Sequence, residues 1–207
     1  MIEIDDFVEY LKKGDIPIEP PDGSSLYGRD WKMGNIEVWK GRDDTISRGM
    51  WAIVDKIWTK KLAKWIGGRT CLEVMAGAGW LAKALSEYGI DIIATDNGAW
   101  DARHSKMVIV HPIEKLDGIE ATHKYCDRDI LIISWPPYGD MDICRICEQW
   151  MDKLIIYIGE DDGGCNAPEE FWQHFNTIKP QPRIPLMAWS GLHDSVHIGI
   201  YSEKQTA

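Results

Sequence analysis

Apolar and polar positions follow two regimes that change near residue 70. In the first, residues 2–13 read as a short helix that stops at Gly14. Pro17, Pro20, Pro21, Asp22 and Gly23 then form a loop or arm. Residues 27–40 are aromatic and glycine-spaced, with no clear period. Asp43, Asp44 and Thr45 offer capping oxygens for a long helix, predicted over residues 45–66. Met50, Ile53, Val54, Ile57, Leu62 and Trp65 give that helix an apolar face, and Gly67-Gly68 ends it.

Beyond residue 70 the alternation is regular. Strands are predicted over residues 71–75, 90–95, 107–110, 130–134 and 154–158, with helices over 80–88, 113–123 and 142–151. Pro168 opens a further helix over 169–175. Two closing strands, 186–189 and 196–201, are joined by residues 190–195. This repeated order predicts an α/β fold: a Rossmann-like, mostly parallel sheet with helices on both faces and a closing strand pair. Residues 1–68 are expected to be an N-terminal arm and helical extension packed on the core. Residues 69–207 are expected to be the α/β domain, the two making one globular unit. A chain of 207 residues suits one domain and is short for two.

Charge narrows the function. The net charge of -10 argues against a protein whose main task is gripping nucleic acid. The densest basic spacing, Lys56, Lys60, Lys61 and Lys64, suits the wet side of a helix better than a phosphate track. No run is long enough to span a bilayer, and the N-terminus lacks a signal-peptide pattern. Five cysteines without framework spacing make a reducing cytoplasm the expected compartment. Cys144-x-x-Cys147 has neither a second pair nor flanking histidines, so it reads as one face of a helix and no metal is expected. Among 11 tryptophans, Trp51, Trp58 and Trp65 recur at seven-residue steps. That stripe is either a packed seam or the surface through which copies of the chain would form a homo-oligomer.

The chemistry concentrates in residues 70–96, TCLEVMAGAGWLAKALSEYGIDIIATD. An apolar run carries Glu73 near its end. The small-residue turn Ala76-Gly77-Ala78-Gly79 follows, and the next strand ends on Asp96. The run from Gly77 to Ala82 also fits the loose dinucleotide pattern. Two features point away from NAD. Glu73 sits where a dinucleotide strand is apolar, and burying it calls for a cation or donor; a ligand ammonium supplies one. The glycines also come late in the turn.

These residues resemble the first motif of the class I S-adenosylmethionine-dependent methyltransferases, D/E-x-G-x-G-x-G. Glu73, Gly77 and Gly79 match it, and Met75 stands in place of the first glycine. The M-A-G-A-G form is similar to the F-A-G-x-G variant of methyltransferases acting on exocyclic amino groups. The resemblance implies that S-adenosyl-L-methionine is the cofactor and that the turn Met75, Ala76, Gly77, Gly79 lies against its methionine moiety. It also implies that Asp96 takes the ribose hydroxyls and that Asn97 lies beside the adenine. His111, after the third strand, either borders the adenine or belongs to a simple loop. A plain turn remains the alternative reading of Asp96-Asn97-Gly98.

The second motif is residues 129–139, DILIISWPPYG, where a buried strand runs into Pro136-Pro137-Tyr138. It resembles the D/N/S-P-P-Y/F motif of amino-group methyltransferases, which implies a catalytic set of Ser134, Trp135, Pro136, Pro137 and Tyr138. Trp135 occupies the family's polar position, and its indole donates without accepting. Direct transfer to a base amine is therefore not expected. Trp135 and Tyr138 suit stacking on a flat substrate or facing a cationic sulfonium; the alternative is a core plug at the end of a strand. Glu160 and Asp161, after the next strand, are expected on the substrate rim or in a solvated turn. The segment up to about Lys40 is expected to cap the site. The expected function is methyl transfer to a small-molecule or protein acceptor, with nucleic acid disfavoured. Binding of the same cofactor without turnover, or an NAD-dependent reaction, are the alternatives.

Overall fold

The computed structural model describes residues 1–26, 36–99 and 105–203. The glycine-spaced stretch expected without period therefore lies mostly outside the described residues. Helix α1 (Ile4–Lys13) buries Phe7 and Leu11 and ends on Gly14, whose left-handed backbone returns its N–H to the Leu11 carbonyl. Strand β1 (Ser24–Leu26) follows the proline-rich arm.

Two helices, α2 (Ile36–Ser47) and α3 (Lys56–Ile66), stand where one was expected over residues 45–66. The break has a local cause. The Asp55 carboxylate accepts from the N–H groups of Ile57 at 2.7 Å and Trp58 at 3.2 Å, which starts a new helix at residue 56. Residues 48–55 thereby leave the helical path, and Ile57 ends up 45% exposed rather than on the apolar face. The tryptophan stripe is lost with the helix. Trp51 lies in the released segment, Trp58 is fully buried, and Trp65 is half-buried under the Arg69 guanidinium, 4.0 Å from its ring. The three do not form one surface. Lys60, Lys61 and Lys64 are exposed, as a solvated helix face requires.

Next in order come β2 (Cys71–Val74), α4 (Trp80–Ser86), β3 (Ile92–Asp96), β4 (Ile113–Lys115), α5 (Gly118–Lys124) and β5 (Ile130–Ser134). The chain closes with α6 (Asp142–Glu148), β6 (Leu154–Gly159), α7 (Glu169–His174), β7 (Phe175–Thr177), β8 (Met187–Trp189) and β9 (Ser195–Tyr201). The main sheet has the order β4-β3-β2-β5-β6-β9-β7. Its first five strands are parallel, and β9 runs antiparallel to β6 and β7. The fold is α/β and Rossmann-like, with a mostly parallel sheet.

Three expectations are corrected. Residues 107–110 are not a strand; Val110 donates its N–H to the Ala78 carbonyl and the segment wraps the glycine turn. The helix expected over 113–123 begins instead as β4, and α5 starts later, where Asp117 accepts from the Glu120 N–H at 2.8 Å. The closing strands are not each other's partners. β8 leaves the main sheet to pair with β1, while β7 and β9 close the sheet. Trp189 explains the departure: it is almost completely buried and takes the edge of Phe7 from α1, so β8 docks on the extension.

Strand residues alternate between two cores. Cys71, Ile130, Ile132, Ile156 and Ile158 pack on the side of α3, α4 and the extension. Leu72, Val74, Leu131, Ile133, Ile155 and Tyr157 pack on the side of α5, α6 and α7. The extension shares the first core through Phe7, Leu11, Val38 and Met50. From β2 the chain moves outward through β3 and β4, then returns to β5 on the other side. The carboxyl ends of β2 and β5 therefore flank the point where strand order reverses, the crevice in which open α/β sheets hold ligands.

Candidate functional site

A cavity of about 520 Å³ lies at that crevice. The volume is within the range of small-molecule sites, about 300–1,000 Å³. It is lined by Glu73, Met75, Ala76 and Gly77 at the end of β2 and just beyond it, by Asp96 and Asn97 at the end of β3, and by Ser134, Trp135, Pro136, Pro137 and Tyr138 at the end of β5 and just beyond it. The two sequence motifs thus meet, as the phase of the strands predicted.

Glu73 follows the alternation of β2 onto the α4 side, where it is 2% exposed. Burial pushes its carboxyl up to about 8, against a hydrogen bond from the Ala82 N–H in the first turn of α4. Its Oε2 has no partner among the described residues. A buried carboxylate oxygen without a donor is costly, and here it borders a cavity open to a ligand.

Asp96 ties two turns together. Its Oδ2 accepts from the Gly77 N–H at 2.8 Å and its Oδ1 from the Gly98 N–H at 2.7 Å. A carboxylate has about four acceptor sites, so lone pairs remain for hydroxyls. Asn97 accepts from the Ala99 N–H at 2.8 Å, an Asx turn that leaves its amide at the cavity edge.

The glycines of the turn answer to the protein itself. A Cβ on Gly77 would stand 3.2 Å from the Gly49 carbonyl of the extension. One on Gly79 would stand 2.8 Å from the Cβ of His111. Gly79 and His111 accordingly adjoin each other behind the turn, and neither lines the cavity. Burial, with the Lys83 charge, lowers the His111 pKa.

Two residues of the cavity lining, Met75 and Trp135, are strained. Each ends its strand in the left-handed region, with φ of 56° and 51°. Met75 therefore adopts a conformation natural to glycine. The kink also turns the two side chains to opposite cores: Met75 packs toward α5 and α6, Trp135 toward α3 and α4. Trp135 donates its indole N–H to Asp194 Oδ1 at 3.0 Å and stacks on Trp51, ring centroids 5.5 Å apart at 25°. Asp194, between β8 and β9, is 2% exposed; burial pushes its carboxyl up to about 7, and the indole bond opposes the rise.

The expected rim acids lie elsewhere. Glu160 is buried and accepts from the Cys165 N–H at 2.8 Å and the His193 N–H at 3.1 Å, fastening the loop after β6 to the β8–β9 connection. Asp161 turns to Ser195 and His197 on β9. Neither lines the cavity; Cys165 and Asn166 of the same loop do. Asn166 donates to the Pro136 carbonyl at 3.3 Å and accepts from the Glu160 N–H at 3.0 Å, which fixes the Pro-Pro turn.

Several wall residues carry no sequence motif. Gly49, Met50, Trp51, Ala52 and Val54 of the released segment roof the cavity, while most of the later half of the segment expected to cap it, residues 27–35, lies outside the described residues. The Trp80 indole pins that roof by donating to the Arg48 carbonyl at 2.9 Å. Asp117, Asp140 and Asp142 complete the rim. A signal for the roof existed in Asp55, which caps a helix late and frees the residues before it. Cys144 and Cys147 are buried on α6, and among the described residues no group of three or more His, Cys, Asp or Glu is placed to hold a metal ion. Among the described residues no helix is long and apolar enough to cross a membrane.

No protein-family model matches the chain, and no curated protein matches it. Solved structures similar to it include MtNAS in complex with MTA and tNA, at 11% identity over 70% of this chain and 58% of that one, TM-score 0.48. A protein in the NADB-Rossmann superfamily from Streptococcus agalactiae is 14% identical over 72% of this chain and 70% of that one, TM-score 0.45. TehB from Haemophilus influenzae is 11% identical over 70% of this chain and 61% of that one, TM-score 0.42.

Proposed function

We propose that this protein is a methyltransferase that binds S-adenosyl-L-methionine at the ends of β2, β3 and β5 and methylates a small molecule or a protein side chain. The observation that carries the reading is the buried Glu73 carboxyl, whose Oε2 has no partner and which borders the cavity. An ammonium group is the missing partner, and the methionine moiety of this donor has one. The donor also contributes an activated methyl on a cationic sulfonium. The residues present fit it: Glu73 for the ammonium, Asp96 and Asn97 for the ribose and base, and a turn whose backbone Asp96 holds in place.

The protein's share of the reaction is alignment and exclusion of water. The roof of Met50–Ala52, pinned by Trp80, closes one side, and Pro136-Pro137, fixed by Asn166, would form a rigid wall for the bound donor and acceptor. Asp140, on the same rim, is placed to accept a proton from an acceptor that carries one.

Calorimetric titration and thermal shift with S-adenosylmethionine, S-adenosylhomocysteine and NAD test this reading. The two adenosyl ligands should raise Tm and NAD should not. Asp96→Ala should weaken S-adenosylhomocysteine binding at least tenfold; unchanged affinity, or a larger shift with NAD, overturns the placement. A second reading, binding without turnover, is favoured by Trp135, whose donor-only indole is already committed to Asp194. Methyl release to any acceptor ends that reading.

A further inference from the structure

Asp194 carries more than one indole bond requires. It is buried between β8 and β9, and its Oδ1 accepts from the Trp135 indole N–H at 3.0 Å. Its Oδ2 is buried with no partner among the described residues. An asparagine carbonyl would accept the same bond without the cost of burying a charge. The charge has a counterpart on the same ring. Arg42, from α2, holds its guanidinium 5.8 Å from the Trp135 ring centre, and its Nε also lacks a partner among the described residues. Carboxylate, indole and guanidinium thus join the β8–β9 connection, the end of β5 and the extension. Trp135 in turn stacks on Trp51, and both line the cavity. The Trp135 backbone is fixed by its bond to the Ile158 carbonyl at 2.8 Å, but the ring turns about its side-chain bonds unless it is held.

The strength of that hold follows a proton. A hydrogen bond to a carboxylate is about twice as strong as one to a neutral acceptor. The indole bond favours the ionised form of Asp194, so by reciprocity protonation of Asp194 weakens the bond. Burial pushes this carboxyl up to about 7; the indole bond opposes the rise, Glu160 adds to it and Arg42 opposes it. Other groups that face Asp194 keep one state near neutral pH. Burial pushes Cys165 up to about 12 and raises Tyr157 as well. Burial also raises Glu160, but the bonds from Cys165 and His193 outweigh it and leave that carboxyl lowered and ionised. The His193 imidazole, next to Asp194 in sequence, lies 3.6 Å from Glu160. We infer that Asp194 is a positioning residue that acts through Trp135: its charge, matched by Arg42, locks the Trp51–Trp135 pair into the cavity wall, and protonation loosens the pair. What the lock does for a methyl acceptor rests on the reading of this cavity as a methyl-transfer site. The lock itself is a property of the protein alone.

Two stacked indoles couple as excitons and give a paired band in circular dichroism. The difference between wild type and Trp51→Phe isolates that band from the other tryptophans. On the full chain without ligand, it should grow at least twofold from pH 6 to pH 8.5, with a midpoint near pH 7. Asp194→Asn keeps the size and one acceptor oxygen, so its band should be flat with pH and stay at the low-pH amplitude of the wild type. Arg42→Gln removes the opposing charge and should move the midpoint to higher pH. His193→Gln and Glu73→Gln should leave the midpoint in place, which assigns it to Asp194. A wild-type band that ignores pH, or a full band in Asp194→Asn, overturns the inference. So does an unmoved midpoint in Arg42→Gln, or a moved one in His193→Gln or Glu73→Gln. Urea unfolding checks that Asp194→Asn folds; if it does not, the wild-type pH series and Arg42→Gln still decide. Failure of S-adenosylhomocysteine to bind the wild type sinks the methyl-transfer reading instead and leaves the band result standing.

Discussion

The ends of β2 and β5 are neighbours in the sheet and are built to opposite plans. Both stop on a bulky residue in left-handed backbone, Met75 and Trp135. At β2 the polar group is left short of partners: Glu73 is buried with one oxygen unpaired. At β5 the strained residue is tied on every side, by the Asp194 carboxylate, the Trp51 ring and the backbone bond from its N–H to the Ile158 carbonyl at 2.8 Å. One end is incomplete without a ligand, and the other is complete without one. A site needs both kinds of surface: a charge that only the ligand satisfies, and a rigid wall against which it is held.

The largest expected effect tests the incomplete end. The Glu73 carboxyl is raised from 4.5 to about 8 in the folded protein. Between those values the folded state holds a proton that the unfolded chain has lost, so stability falls as pH rises from about 4.5 through about 8. Glu73→Gln removes that share. Urea unfolding of wild type and variant from pH 5 to pH 9 should show the wild type losing about 4 kcal/mol relative to the variant. A difference that stays flat with pH breaks the contrast, because Glu73 would then already have its partner. The same variant should weaken S-adenosylhomocysteine, whose binding to the wild type below pH 8 should release a proton, seen as a buffer-dependent calorimetric enthalpy.

The next effect tests the complete end. Trp135→Ala removes a large packed ring and leaves the buried Asp194 without its donor, which should cost about 3 kcal/mol in unfolding free energy. Trp135→Phe keeps the stack and loses the N–H, and should cost about 1–3 kcal/mol. If the two variants unfold alike, the Asp194 bond, not the ring, holds this wall.

The smallest effect tests what the two ends share. Met75→Gly relieves about 1–2 kcal/mol of left-handed strain and adds about 0.5–1 kcal/mol of unfolded-state entropy. Stability should stay within about 1 kcal/mol of wild type by urea unfolding. A loss much beyond that would mean that the Met75 side chain, packed toward α5 and α6, holds this end as firmly as Trp135 holds its own.

Much of the fold was legible because the strands are short, apolar and bounded by turns. The β2, β3, β5 and β6 segments and the phase of Glu73 and Asp96 follow from period and punctuation alone. The helix expected over residues 45–66 failed because one capping carboxylate, Asp55, outweighed a continuous apolar face. The pairing of the closing strands failed because Trp189 needed cover that the extension, distant in sequence, provides. At the site, the two motifs were readable as motifs. Glu160 was misplaced because an acid at a strand end reads the same whether it points to a ligand or to two backbone N–H groups.

The sequence by itself determined the alternation of strands and helices, the acid at the end of β2 and β3, the Pro-Pro turn after β5 and the acidic charge. These are local properties, set by spacing and residue type. The tertiary structure decided that residues 49–54 roof the cavity, that Trp135 answers to Asp194 and Trp51, and that no described cation lines the wall. Those facts depend on which distant segments meet, and burial and pairing across such contacts leave no period in the chain.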